Sequence, residues 1–200
     1  MFPRRDGDRL VCSLLWQRRD APSMEHFRLW DHPEGARLEG IVVAVSGELP
    51  ATVVYMVDCA PDWSTRRAIV DATMAGTTFR TELVTDGAGR WNRDGRELPE
   101  LHGCVDVDIS VTPATNTLPI RRLALAAGES SAVDAAWVRV GGHLSVERLS
   151  QRYTRLVGGR YRYESGGGAF TAMLDVDEAG VALRYLPGWE RVPLISPRDQ

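Results

Sequence analysis

The chain has 200 residues, 44% of them hydrophobic and 26% charged, with a formal net charge of −3. That is enough apolar material for one sizeable core, and no linker divides it, so residues 1–200 are expected to form a single domain. The interspersed charges offer no global attraction for nucleic acid, and because all 24 basic residues are arginine, lysine-dependent Schiff-base chemistry is excluded.

The N-terminal MFPRRDGDRLVCSLLW carries charges but only a very short apolar stretch, which is not the centre of a secretory signal. Apolar runs such as Ile41 to Val45 and Leu123 to Ala127 fall far short of the ~20 residues needed to span a bilayer. A cytoplasmic, non-membrane-spanning protein is therefore expected. Cys12, Cys59 and Cys104 are widely spaced, match no metal-ligand pattern, and read as reduced packing residues.

Taken in order, the predicted elements are mostly strands: Leu10 to Gln17, Met24 to Trp30, Arg37 to Val45, Thr52 to Asp58, Thr65 to Ala72 and Thr78 to Thr85. After Val105 to Val111 come Ala132 to Val140, Arg152 to Val157, Arg160 to Glu164, Ala169 to Val176 and Val181 to Leu186. Acidic-Gly and Gly-Gly turns separate many of them, which predicts antiparallel hairpins. Two hairpins, ELVTDGAGRW (Glu82 to Trp91) and MLDVDEAGVALRY (Met173 to Tyr185), resemble each other and hint at two similar halves of a sheet. Helix is predicted only around Thr115 to Leu123, where Pro119 fits a first turn, and at His143 to Ser150.

The segment from Gly103 to Leu123 concentrates polar groups among strand formers. Val105, Val107 and Ile109 alternate with Asp106, Asp108 and Ser110, so the carboxylates share one face of a strand and the branched side chains the other. Thr112, Thr115, Asn116 and Thr117 follow, and Arg121 and Arg122 add two guanidinium forks. Asp106 and Asp108 suit general acid/base work or a divalent cation, but pairing with Arg121, Arg122 or another arginine is the stronger reading. No His/Cys cluster accompanies them, so neither a metal nor another cofactor is expected. Trp63 beside Arg66 and Arg67, and Tyr153, Tyr161 and Tyr163 among Arg152, Arg160 and Arg162, combine aromatic faces with guanidinium groups. Sugar rings stack on such faces and lipid phosphates accept from arginine, although packing between strands explains each residue singly.

The run CVDVDISVTPATNTLPIRRL resembles the signature of the bacterial putative glycolipid-binding family. MEHFRLW, VVYMVDCAPDWSTRRAIV, GRW, DGRELPELHGC, QRYTRL and YRYES match it in order, over about Met24 to Trp189. The resemblance implies a mainly β fold, an antiparallel spiral β-roll whose long curved sheet wraps around a single helix. It also implies a homodimer. Ala114 and His102 depart from the family pattern, where a larger aromatic and an acidic residue are expected, and the first departure predicts a more open pocket nearby. The leading reading is non-enzymatic binding of an amphipathic ligand, a glycolipid, in a cavity or groove. Its candidate residues are Asp106, Asp108, Thr115, Asn116, Arg121, Arg122, Trp63, Arg66 and Tyr153. Two alternatives stand beside it: an enzyme on a sugar- or lipid-like substrate using Asp106 and Asp108 with Arg121 as anion clamp, and a structural homodimer without a small ligand.

Overall fold

The computed structural model describes residues 2–46 and 49–193, so the expected domain limits at 1 and 200 lie outside the described residues. The first run of strands is β1 (Arg9–Arg18), β2 (Met24–His32), β3 (Gly35–Ser46), β4 (Leu49–Cys59), β5 (Thr65–Met74), β6 (Thr77–Thr85), β7 (Trp91–Arg93) and β8 (Arg96–Glu97). Each pairs antiparallel with the next. The second run is β9 (Asp106–Ile109), β10 (Ser130–Val140), β11 (Leu144–Arg155), β12 (Arg160–Ser165), β13 (Phe170–Val176), β14 (Ala182–Leu186) and β15 (Trp189–Arg191). Here β10 to β15 form an antiparallel meander, and β1 pairs with β15 to join both runs into one 15-stranded sheet.

Strand β9 is the exception, running parallel to β10. A parallel neighbour requires a crossover, and the chain between them supplies it as a short 3-10 turn, Ala114–Asn116, running into the helix α1 (Thr117–Leu123). Pro119 lies in the first turn of α1, where its missing N–H removes no intrahelical bond. The expected helix at Thr115 to Leu123 is therefore present. The second expected helix is not: His143 lies in the turn, and Leu144 to Ser150 belong to β11. An isolated eight-residue helix is marginal, whereas this segment joins an unbroken register from Val140 opposite Leu144 to Ser130 opposite Thr154. Strands β7, β8 and β15 are too short for a period-two pattern to announce them.

The sheet curls until distant strands meet. The Val107 N–H donates to Thr65 Oγ1 (3.0 Å), and the Thr65 N–H to the Val105 carbonyl (3.2 Å), which ties β9 to β5. From β11, Arg148 Nε donates to the Glu100 carbonyl (3.1 Å) and its Nη2 to that of His102. Helix α1 occupies the resulting interior: Leu118 packs into a core with Trp16, Phe27, Tyr55 and Trp91, and Ile120 into a second with Tyr153, Tyr161, Tyr163 and Leu174. The two fully buried indoles are satisfied, Trp16 Nε1 on the Ala182 carbonyl and Trp91 Nε1 on that of Cys104, each at 2.8 Å.

The two similar hairpins share a turn. Asp86 Oδ1 accepts from the N–H groups of Ala88 (2.8 Å) and Arg90 (3.0 Å), and Asp177 Oδ1 accepts from those of Ala179 (3.0 Å) and Val181 (2.9 Å). In both, the side chain substitutes for a backbone acceptor and fixes the reversal.

Candidate functional site

Strand β9 puts its two carboxylates on one face, as alternation requires: Asp106 lies opposite Ala135 and Asp108 opposite Trp137, while Val107 and Ile109 enter the larger core. Their environments differ. Asp106 is buried and held by a two-point fork from Arg122, Nε to Oδ1 at 3.0 Å and Nη2 to Oδ2 at 2.5 Å. Among the described residues Asp108 has no guanidinium partner; it accepts from the Thr115 hydroxyl (2.8 Å) and from Gln151 Nε2 (2.7 Å). The expectation that arginine pairs with both carboxylates thus holds for Asp106 and is corrected for Asp108. Burial pushes the Asp108 carboxyl up, and those two donors oppose the shift.

Asp108 sits at the wall of a cavity of about 380 Å³ on the concave side of the second run of strands. Its apolar wall is largely aromatic: Trp137 from β10, Tyr163 from β12, Phe170 from β13, Tyr185 from β14 and Trp189 from β15, with Ile109, Leu149 and Pro187 beside them. The Tyr163, Phe170 and Tyr185 rings form a mutual cluster with centroids 6.0 to 6.4 Å apart. Opposite them the chain leaving β9 supplies Ser110, Thr112 and Asn116. Ser110 Oγ accepts from the Val140 N–H (3.0 Å), which leaves its proton free. Asn116 is clamped at both ends, Nδ2 donating to the Pro113 carbonyl (3.0 Å) and Oδ1 accepting from the Tyr153 hydroxyl (2.8 Å). Ala114 is fully buried and does not itself line this cavity, although Thr112 and Asn116 on either side of it do.

Of the residues singled out from sequence, Asp108 and Asn116 line the cavity, and Thr115 and Tyr153 stand directly behind them as hydrogen-bond donors. Asp106 and Arg122 are occupied with each other. Arg121, Trp63 and Arg66 do not line this cavity. The Arg121 guanidinium lies 4.9 Å from the Trp63 ring centroid, and its stem crosses Gly180, where an added Cβ would come within 3.0 Å of Arg121 Cδ. Arg66 is exposed and donates to the Glu34 carbonyl (3.2 Å). The tyrosine strand follows alternation: Tyr161 and Tyr163 are buried, and Arg160 and Arg162 face outward.

Among the buried charged groups that were not singled out from sequence, Glu25 stands closest to the cavity loop through Thr112. Glu25 on β2 is fully buried with no arginine partner among the described residues; the Tyr55 hydroxyl donates to its Oε1 and the Thr112 hydroxyl to its Oε2 (2.6 Å). Burial pushes its carboxyl up to about 8, against the pull of the two hydroxyls. The signal was present in MEHFRLW, because alternation puts Glu25 on the face of Phe27 and Leu29. Among the described residues no group of three or more His, Cys, Asp or Glu is placed to hold a metal ion.

A long curved sheet wrapped around one helix, with an aromatic cavity bordered by a carboxylate and short polar side chains, defines a β-roll. The chain belongs to the family described as "Putative glycolipid-binding", whose profile matches residues 13–191. A crystal structure of a DUF1089 family protein from Pseudomonas aeruginosa is similar, with a TM-score of 0.77 and 33% identity over 85% of this chain and 92% of that chain. No curated protein matches the chain.

Proposed function

We propose that the chain acts as one unit that binds an amphipathic ligand, a glycolipid, in the aromatic cavity and does so without catalysis. The observation that carries this reading is the pairing of the wall formed by Trp137, Phe170 and Tyr185 with the carboxylate of Asp108 in one cavity. Aromatic faces stack on sugar rings or cover an acyl chain, and a carboxylate with free lone pairs accepts from hydroxyls. Asp108, Ser110 and Asn116 are assigned to the ligand, Thr115 and Tyr153 to positioning them, and Asp106 with Arg122 to the framework. The alternative enzyme needs two working carboxylates, and the Arg122 fork on Asp106 counts against it.

No helix among the described residues is long and apolar enough to cross a membrane. The proposal puts the protein in the cytoplasm, which its three free cysteines support. A homodimer has a candidate surface in Met24 and Val43, register partners on β2 and β3 that are 46% and 58% exposed. Native mass spectrometry of protein purified without detergent tests the binding reading. A co-purifying lipid, displaced by replacing Tyr185 with Asp, is the expected result, and apo protein that also fails to take up added glycolipid would refute it.

A further inference from the structure

Resting on that reading, we infer that the cavity selects an uncharged, hydroxyl-rich head group and rejects anionic ones such as phosphate, sulfate or carboxylate. Among the described residues, three charged side chains line the cavity: Asp108, Arg18 and Asp20. Arg18 is committed to Asp20 by a two-point fork, Nε to Oδ1 at 2.6 Å and Nη2 to Oδ2 at 3.0 Å, so its strongest donor face is closed. The two arginines that the signature brings nearest are also engaged elsewhere. Arg122 is on Asp106, and Arg121 lies over Trp63 outside the cavity. The chain has no lysine to take their place.

An anionic head would therefore meet the Asp108 carboxylate where, among the described residues, the one lining cation, Arg18, already shares its charge with Asp20, so that like charges repel with little to offset them. A polyol meets complementary groups. Each Asp108 oxygen accepts one protein hydrogen bond, from Thr115 or from Gln151, and each retains capacity for a ligand hydroxyl. The Ser110 hydroxyl proton is free to donate to a ligand oxygen, since its oxygen already accepts from Val140. A quaternary ammonium head would satisfy Asp108 but leave these short polar groups without partners, which favours the hydroxylated head over the cationic one.

The test keeps the tail constant and varies the head: octyl glucoside, octyl phosphate and octyltrimethylammonium, titrated calorimetrically below their critical micelle concentrations. The wild-type protein should bind octyl glucoside at least about tenfold more tightly than either charged amphiphile, the loss expected from an unpaired or repelled charge. Ser110→Ala and Asp108→Asn should each weaken the glucoside, and Asp108→Asn alone should also strengthen the phosphate. Phosphate or ammonium binding as tightly as glucoside would overturn the head-group inference while leaving an amphipathic site intact. Failure of all three to bind would overturn the site itself.

Discussion

The Tyr55 hydroxyl donates to the Glu25 carboxyl across Gly40, joining β4 to β2 over the strand between them. Gly40 is what permits this: an added Cβ would come within 2.2 Å of Tyr55 Cε1. The pair is completed by Thr112, which donates to the other Glu25 oxygen and also lines the cavity. A buried carboxyl of the first half of the sheet is thereby connected to the loop that shapes the proposed site.

Glu25 gives the fold a specific pH dependence. Its carboxyl is held at about 8 against an ordinary value of 4.5, so the folded state binds the proton more tightly than the unfolded one. The associated stability is fully present below about pH 4.5 and is lost as pH rises through about 8. Asp106 and Asp108, whose values are also raised by burial, act in the same direction. Replacing Glu25 with Gln, which retains a hydrogen-bonded shape without the ionisation, should flatten the decline in Tm between pH 5 and 8. Each kcal/mol recovered at the alkaline end should raise Tm by roughly 2–4 °C. Equal slopes in the two proteins would show that Glu25 does not carry the effect.

Gly40→Ala should be among the most damaging single-methyl additions in the chain. Tyr55 must leave its place, which overpacks the core and removes a donor from a buried carboxyl, at a combined cost of about 2–5 kcal/mol. Tyr55→Phe removes only the donor and should cost about 1–3 kcal/mol. Urea unfolding of both variants checks the order, and a Gly40→Ala protein as stable as wild type would contradict the packing around Tyr55.

The two carboxylates of β9 should separate by phenotype. Asp106→Asn leaves the Arg122 guanidinium without its counter-charge and should cost about 3–5 kcal/mol. Arg122→Lys keeps the charge and loses the fork, for a smaller loss of about 1.5–3 kcal/mol. Asp108→Asn breaks no ion pair among the described residues, so its stability loss should stay at about 1.5–3 kcal/mol, below that of Asp106→Asn, while its effect on ligand affinity dominates. Thermal melts run beside the amphiphile titrations distinguish the three. Similar destabilisation by Asp106→Asn and Asp108→Asn would remove the distinction between framework and site.

The cysteines should differ in reactivity. Burial pushes all three thiols up, and Cys59 and Cys104 are also sealed in the core, whereas Cys12 is only half-buried. A chromogenic disulfide at pH 8 should label no more than Cys12 in the native protein and all three thiols after unfolding in guanidinium. Rapid native labelling of Cys59 or Cys104, read by peptide mass spectrometry, would show that the core around them opens.

Local chemistry was legible in the sequence because it depends on period and turn type. Alternation is enough to place Asp106 with Asp108 and to turn Tyr161 and Tyr163 away from Arg162, and the acidic-Gly signals at Asp86 and Asp177 fix two matching reversals. The residues now grouped around the cavity were not legible as a group. Asp108, Trp137, Tyr163, Phe170, Tyr185 and Trp189 come from six strands, and only the curl of the sheet and its register bring their side chains to one space. The same holds for the division of labour between Arg121 and Arg122. Adjacent residues on a helix diverge by about 100°, which predicts different destinations, but the destinations themselves, Trp63 and Asp106, lie on separate elements. Leu144 to Ser150 show the limit from the other side: their sequence admits a helix, and pairing along the whole of β10 made them a strand. Sequence by itself determined which groups share a face. Tertiary structure decided which faces meet, because sheet curvature and long-range pairing are set by the summed packing of the whole chain and not by any local segment.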